Sequence, residues 1–276
     1  MRFAVSVITP PGYVHSQAFS ELAESLHHAL LALGHDSVLS TRTDNRRRRH
    51  IVFGANLLVK RPQPLPEDSI LYNLEQLGPD SPWDTPAYRE LLSRYRVWDY
   101  AQSNIRRLAE HGIAAEHLPV GWMPQLKRIP ERGRDVDVLF YGVVNQRRAD
   151  ALDALVARGL RLHVLTDVYG RERDAWIARS RVVLNLHHYA ANLFEVVRVS
   201  YLLGNGVCVL SERGDDAELE QPYQGAVAFT DYADLPDACL ALVRDPARQD
   251  QLRQSAVEAM ARLDLRSLLQ PRLEAL

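Results

Sequence analysis

The sequence predicts an α/β protein with two doubly wound domains that face each other across a cleft. Short apolar runs typical of strands alternate with helical patterns along most of the 276 residues, which is the pattern of parallel sheets covered by helices on both faces. The alternation stops in a polar, proline-bearing segment at 123–134 and then starts again. We therefore predict one domain at 1–122 and a second domain at 123–276.

The elements of the first half follow from the spacing of its apolar residues. A strand at 3–8 precedes a Pro-Pro-Gly loop. A helix is predicted beyond this loop, because apolar residues recur at helical spacing from Phe19 to Leu33 before a glycine stop at Gly34. Further strands are predicted at 37–40, 50–53 and 69–73 and near Val97, and further helices at 86–95 and 103–111.

The second half repeats this architecture. The segment at 193–203 has valines that suit a strand, but its length and the Gly204-Asn205-Gly206 stop favour a buried helix. The other strands are predicted at 137–141, 161–165, 181–186, 207–211 and 226–229, and the other helices at 147–158 and 171–178 and, two or three in number, near the C-terminus.

The composition indicates a folded protein, since 46% of the residues are hydrophobic, 25% are charged and the formal net charge is −2. No apolar run reaches the ~18 residues of a membrane span, and the first residues lack a signal-peptide pattern. We therefore expect a cytoplasmic location and no transmembrane segment. A nucleic-acid partner is disfavoured, because the basic run at 46–49 lacks interleaved aromatic residues and the whole chain is slightly acidic.

Ligands bind outside the carboxyl ends of the strands in such sheets, and the first such loop of the second half begins with Gly142. The free N–H groups at the start of the next helix, near Asn145, are suited to a diphosphate, and Arg147 or Arg148 adds positive charge. GxGxxG and a Walker lysine are both missing, which disfavours nicotinamide binding and P-loop phosphoryl transfer. The alternative is an ordinary strand-to-helix turn with solvated arginines.

A second group of polar side chains stands at the end of the strand at 181–186. We expect this group to line a ligand site, with surface histidines as the alternative interpretation. The group consists of Asn185, His187, His188 and Tyr189.

Glu195 and Arg198 stand in the otherwise apolar stretch at 193–199. Their spacing of three places them on one face of a helix, where an intrahelical ion pair is the simplest interpretation. Such an apolar stretch implies burial, and buried charged side chains are retained only when they pair with an opposite charge or have a functional role. We therefore predict that Glu195 accepts the hydroxyls of a ribose and that Arg198 binds phosphate oxygens.

Two residues of the first half follow strands and can act on a proton. His15 lies in the loop after the first strand, and Glu75 follows the strand at 69–73. A histidine titrates near neutral pH and a carboxylate does so when it is buried, so each is a candidate general base for an attacking hydroxyl. The alternatives are that His15 only orients its loop and that Ser16 only caps the first helix.

No metal and no cofactor is expected. Asp135 and Asp137 have the Asp-x-Asp spacing of a metal motif, but they stand before their strand and so away from its carboxyl end. His187 and His188 would point apart in an extended segment. The cysteines, Cys208 and Cys239, are too few for a thiolate zinc site or a disulfide framework.

These features together resemble the glycosyltransferases with two Rossmann-like domains, the GT-B superfamily. The resemblance is best at 137–212, and within the superfamily the helix that begins near a glutamate is similar to that of the group-1 type. The Glu-x7-Glu pair of that type is not intact, because Leu193 and Tyr201 stand at the two glutamate positions and Glu195 is out of register. The segment at 118–122 resembles the crossing between the two domains, after which the C-terminal helix often returns to the first.

The resemblance implies transfer of a sugar from a nucleoside diphosphate sugar to an acceptor hydroxyl without an obligatory metal. The second domain would hold the donor, and the first would hold a glycan, protein or small-molecule acceptor. Two alternatives are a nucleotide-sugar epimerase of the same fold, which activates water, and a non-catalytic ligand-binding protein with two lobes.

Overall fold

The computed structural model describes residues 1–79, 81–130, 132–188 and 193–276. These residues form two α/β units, each with its own parallel sheet. The first unit comprises Met1–Leu126 and Leu263–Leu276, and the second comprises Lys127–Arg262. The predicted fold class of two Rossmann-like α/β domains is confirmed.

The first unit contains six parallel strands in the order β2-β1-β3-β4-β5-β6. The strands are β1 (Arg2–Val7), β2 (Asp36–Ser40), β3 (Arg49–Phe53), β4 (Ile70–Asn73), β5 (Arg96–Asp99) and β6 (Glu116–His117). The helices between them are α1 (Ser20–Ala32), α2 (Pro86–Ser93) and α3 (Gln102–Glu110), and short 3-10 helices cover Val14–Phe19, Ala55–Val59 and Pro124–Leu126. Ile51, Val52 and Phe53 of β3 are all fully buried, as expected for a parallel strand that is covered on both faces.

The second unit contains five parallel strands in the order β11-β10-β9-β7-β8. The strands are β7 (Val136–Tyr141), β8 (Leu162–Leu165), β9 (Ser180–Asn185), β10 (Val209–Glu212) and β11 (Ala228–Thr230). The helices are α4 (Gln146–Ala157), α5 (Gly170–Arg179), α6 (Val196–Gly204), α7 (Ala217–Glu220), α8 (Leu235–Val243) and α9 (Pro246–Arg262), with 3-10 helices at Gln221–Tyr223 and Tyr232–Asp234. One core cluster joins the central strands to α4 and α8 through buried side chains such as Phe140, Leu184 and Cys239.

The C-terminal helix, α10 (Leu265–Glu274), belongs to the first unit. The Trp122 N–H donates to Leu263 O at 2.8 Å, and the Leu265 N–H donates to Trp122 O at 3.1 Å, so the segments that leave and re-enter the unit run side by side. Gly121 permits this approach, because a Cβ there would lie 2.9 Å from Cα of Leu265. The division therefore differs from the predicted one at 122: residues 123–126 and 263–276 belong to the first unit.

Two of the differences from the predicted elements concern α6 and β6. The segment at 193–203 forms a helix as predicted, but α6 begins at Val196, and Glu195 is the residue just before it rather than a residue of its first turn. The two-residue strand β6 is not among the predicted strands, because so short a strand carries no periodic signal. Across the described ranges, no helix is long and apolar enough to cross a membrane.

The second sheet changes direction of growth at β7, which has β8 on one side and β9 on the other. Open α/β sheets bind ligands in the crevice outside the carboxyl ends of the strands at such a reversal. The loops that follow β7 and β9 therefore lie at the edge of this unit where such sheets bind ligands.

Candidate active site

The turn after β7 allows two arginines to approach the backbone. Gly142 has a φ of 137°, and a Cβ on it would lie 3.0 Å from Nη2 of Arg198 and 3.6 Å from Nη1 of Arg148. Any other residue would therefore be strained and would push against the first of these guanidinium groups. The conformation brings positive charge to the start of α4.

Asn145 fastens this turn to the loop after β9. It is the N-cap residue of α4, and its Oδ1 accepts the Arg148 N–H at 3.0 Å. Its Nδ2 donates to the carbonyl of His188 at 3.0 Å. The predicted ligand residue is thus also the link between the two loops.

Arg148 is a buried cation that binds backbone carbonyls of both loops. It donates to Val143 O at 2.7 Å, to His187 O at 3.3 Å and to Leu186 O. Burial lowers the pKa of Arg148 to about 10, and the neighbouring Arg198 contributes to the decrease. Arg148 therefore stays charged at neutral pH and gives the site a fixed positive charge.

Glu195 is held by side chains that follow β9. Its Oε2 accepts Nδ2 of Asn185 at 2.8 Å and lies 3.1 Å from Nδ1 of His187. Burial acts to raise the pKa of Glu195, but the hydrogen bond from His187 and the charges of His187 and Arg198 outweigh it and lower the pKa. Glu195 is therefore ionised at neutral pH, with its Oε1 3.9 Å from Nη2 of Arg148.

His187 contacts the Glu195 carboxylate and is not exposed at the surface. Its side chain is 1% exposed. Burial acts to lower the pKa of His187, but the hydrogen bond and charge of Glu195 and the charge of Glu212 raise it overall. The pKa of His188 is lowered, by burial first and then by the charge of Arg148. Tyr189, also predicted for this site, lies outside the described residues.

Glu212, at the end of β10, binds both Arg147 of α4 and the backbone of the loop after β9. It pairs with both terminal nitrogens of Arg147, one of them at 2.8 Å, and its Oε2 accepts the His187 N–H at 3.1 Å. The Arg147 guanidinium stacks 3.9 Å from the ring centroid of Tyr232. Arg147 is therefore engaged within the unit, whereas the sequence predicts it as a diphosphate ligand.

Arg198 differs from the other two arginines in its partners. Its guanidinium lies 5.1 Å from the ring centroid of Tyr141, and its Nη1 is buried without a hydrogen-bond partner among the described residues. A buried N–H without a partner is costly, which marks this nitrogen as a place for a ligand oxygen.

In the first unit, His15 and Glu75 follow β1 and β4. The His15 ring packs edge-on against Tyr13 at 5.2 Å between centroids. Ser16, interpreted from sequence as a possible helix cap, instead donates its hydroxyl to Ile8 O at 2.7 Å. Burial raises the pKa of Glu75 to about 7, and a hydrogen bond from Asn56 acts in the opposite direction.

Sequence reasoning missed Glu212 and Tyr232 in the second unit, and Asp99 in the first. Glu212 and Asp99 both end a strand, and this position is the signal that could have identified them. The described side chains of His, Cys, Asp and Glu form no group of three that could hold a metal ion. Asp137, at the amino end of β7, instead pairs with Arg161 at 2.8 Å.

The comparisons with known proteins agree with this architecture. Residues 121–276, more than half of the chain, match the model of a family described as glycosyl transferase-like. The chain belongs to this family, and its fold is that of the GT-B glycosyltransferases.

A relative in sequence is the uncharacterized protein L140 of Acanthamoeba polyphaga mimivirus, which is 26% identical over 185 residues. The alignment covers 63% of this chain and 58% of the relative, so the chain spans less than two thirds of that protein.

Solved structures share the fold at low sequence identity. The Anabaena protein Alr3699/HepE, in complex with UDP, matches 100% of this chain and 99% of its own with a TM-score of 0.62 and 12% identity. AviGT4, a glycosyltransferase of avilamycin A biosynthesis, matches 100% and 96% with a TM-score of 0.59 and 15% identity. A structure described as trehalose-6-phosphate from E. coli bound with UDP-2-fluoro glucose matches 100% and 98% with a TM-score of 0.60 and 11% identity.

Proposed function

We propose that this protein is a glycosyltransferase that takes its sugar from a nucleoside diphosphate sugar and transfers it to an acceptor hydroxyl, with the donor on the second unit and the acceptor on the first. The observation that carries the proposal is the environment of Gly142. Two guanidinium groups approach this glycine, and one of them, that of Arg198, keeps a buried Nη1 without a partner among the described residues. A diphosphate oxygen would satisfy that N–H and match its charge.

The same groups provide what the departing diphosphate needs. As the bond to the sugar breaks, negative charge develops on the diphosphate. The N-terminus of α4 and the guanidinium groups of Arg148 and Arg198 stand ready to stabilise it. Because fixed positive charge is already present there, we propose that transfer proceeds without a metal ion.

Glu195 is the proposed ribose ligand. Its pKa is lowered by the hydrogen bond and charge of His187 in spite of burial, so it presents an acceptor-only carboxylate at neutral pH. Asn185 and His187 hold one carboxylate oxygen, and the other is available to the hydroxyls of a ribose. UDP and UDP-2-fluoro glucose in two proteins of similar fold favour a nucleotide of this kind.

Glu75 and His15 are the proposed bases on the acceptor side. A pKa of about 7 leaves the Glu75 carboxylate ionised in a substantial fraction of molecules at neutral pH and basic enough to take a proton from a hydroxyl. The cytoplasmic location expected from the sequence stays a prediction.

The experiment is to incubate the protein with a panel of UDP-, GDP- and dTDP-sugars, with and without sugar acceptors and with EDTA, and to measure release of free nucleotide and the sugar product. We expect one donor class to be consumed equally well with EDTA. Arg198→Ala should weaken donor binding. Arg181→Ala should not, because Arg181 lies near the amino end of β9, away from the loop that follows the strand. No nucleotide release from any donor contradicts the proposal, and release of an altered free sugar with water alone indicates an epimerase instead.

A further inference from the structure

Two buried asparagines hold the loop that carries Glu75. Asn73 and Asp99 are register partners at the carboxyl ends of β4 and β5. Asn73 donates through Nδ2 to Glu75 O at 3.0 Å, and its Oδ1 accepts the Glu75 N–H at 3.2 Å. Asn104 donates through Nδ2 to the same carbonyl at 2.9 Å, and its Oδ1 accepts the Leu77 N–H at 2.9 Å. The backbone of the loop is therefore bound at three polar groups.

Asp99 sets the orientation of both asparagines. Its Oδ2 accepts Nδ2 of Asn73 at 2.6 Å, and its Oδ1 accepts Nδ2 of Asn104 at 3.0 Å and the Ala101 N–H at 2.9 Å. The ionised carboxylate, which predominates above the Asp99 pKa of about 7, can only accept, so it turns both amide NH₂ groups toward itself. Both amide oxygens then face donors, namely the loop N–H groups and the hydroxyl of Tyr88, which donates to Asn73 Oδ1 at 2.9 Å.

A carboxylate at this position is costly to keep. Asp99 is fully buried, and the groups that bind it are neutral amides and backbone N–H groups. Burial raises the pKa of Asp99 to about 7 in spite of these hydrogen bonds. An apolar residue would fill the space at lower cost but would leave the two asparagines free to turn.

We propose that Asp99 is a positioning residue of the acceptor site: acting through Asn73 and Asn104, it fixes the loop from which Glu75 meets the acceptor hydroxyl. Glu75 takes the proton of that hydroxyl, and Asp99 touches neither substrate. The consequence for turnover rests on the proposed function of Glu75, whereas the hold of Asp99 on the loop does not.

The test compares Asp99→Asn with the wild-type protein in two measurements. The first is amide hydrogen exchange, in which we expect the Glu75 and Leu77 N–H groups to exchange about tenfold faster or more in the variant. The second is nucleotide release from UDP-glucose, or from the donor of the panel that is consumed. Here we expect kcat to fall about 10- to 100-fold with the donor KM unchanged, because a small displacement of a catalytic group has effects of this size.

Two further variants separate positioning from general loss of stability. His50→Gln removes a buried polar residue of β3, whose ring nitrogens contact Ser6 Oγ at 2.9 Å and Asn45 O at 3.0 Å, and leaves the Asp99 network untouched. It should change neither the exchange of the Leu77 N–H nor the donor KM. Asn104→Ser removes the contacts of only one asparagine, and we expect it to change exchange and kcat in the same direction as Asp99→Asn. It replaces that variant in the test if Asp99→Asn fails to fold.

The outcomes distinguish this inference from the proposed function. Wild-type exchange at Glu75 and Leu77 in Asp99→Asn and Asn104→Ser overturns the positioning role, whatever Glu75 does. A fall in kcat that His50→Gln reproduces also overturns it. If Glu75→Gln keeps full turnover while Asp99→Asn accelerates exchange, the base assignment fails and the hold on the loop stands.

Discussion

Glu195 is held through its Oε2, and we propose that its Oε1, which lies 3.9 Å from Nη2 of Arg148, binds the ribose. We predict that Glu195→Ala weakens UDP binding by about 1.5 to 3 kcal/mol, because a charged hydrogen bond to the ribose is lost. Isothermal titration calorimetry measures this change. Glu258→Ala, at an exposed position of α9, serves as the control and should bind UDP as the wild-type protein does. Wild-type affinity in a folded Glu195→Ala protein contradicts the assignment.

Glu75 must be ionised to accept a proton, and burial raises its pKa to about 7. We therefore predict that kcat falls as the pH decreases through about 7, and that Glu75→Gln slows transfer about 10²- to 10⁴-fold without changing donor affinity. His15→Ala, in the 3-10 helix Val14–Phe19 that follows β1, is the companion variant. The measurements are kcat from about pH 5 to pH 9 and calorimetric UDP affinity. Unchanged turnover in both variants removes both proposed bases.

The turn between β7 and α4 depends on one glycine. Gly142→Ala places a Cβ 3.0 Å from Nη2 of Arg198 in a backbone conformation that L-residues rarely adopt. We predict a loss of stability of about 1 to 3 kcal/mol together with weaker UDP binding, since both the backbone and the guanidinium must move. Urea unfolding and calorimetry measure the two effects. Gly133→Ala is the matched control, because open space surrounds that position, and equal effects of the two substitutions contradict the prediction.

The order of elements could be predicted because it is written in local patterns. Parallel strands covered on both faces are continuous apolar runs, as at 51–53, and helices carry their own period and stop signals. The start of α6 could not be placed as precisely. The predicted helix begins at Leu193 because the largely apolar stretch begins there, whereas the backbone becomes helical only at Val196.

Contacts between elements could not be predicted from these local patterns. Asn73 and Asp99 are 26 residues apart, and Arg147 and Glu212 are 65 residues apart, yet each pair is hydrogen-bonded. The sequence therefore singles out Arg147 as a charge near a helix N-terminus but does not show that Glu212 binds it. It also predicts that His187 lines a ligand site, but a histidine at a strand end gives no sign of the Glu195 carboxylate that it contacts.

At the scale of the whole molecule, Asp99 makes stability depend on pH in an uncommon direction. Its folded pKa of about 7 lies well above its ordinary value of 3.8, so the folded protein keeps this proton to higher pH than the unfolded chain. The stabilising contribution is complete below about pH 4 and is lost as the pH rises through about 7, a loss on the order of 4 kcal/mol.

We predict that Asp99→Asn reduces the decrease in unfolding free energy between about pH 5 and pH 8, because the substituted side chain has no proton to lose. Urea unfolding followed by tryptophan fluorescence, to which the buried Trp98 contributes, measures this difference. An equally steep decrease in the variant and in the wild-type protein contradicts the assignment of the titrating group.

Because α10 returns to the first unit, the second unit is a continuous segment inserted into the sequence of the first. Lys127–Arg262 can be expressed as one continuous segment, whereas expressing the first unit alone requires a new connection between Leu126 and Leu263. Trp122 and Leu263 are hydrogen-bonded neighbours, so a short glycine-rich joint is long enough. We predict that the excised piece folds and binds UDP, as measured by circular dichroism and calorimetry, and a piece that folds without binding UDP contradicts the prediction. Lys127–Arg262 could then be exchanged between related chains as one segment without interrupting a strand of either sheet.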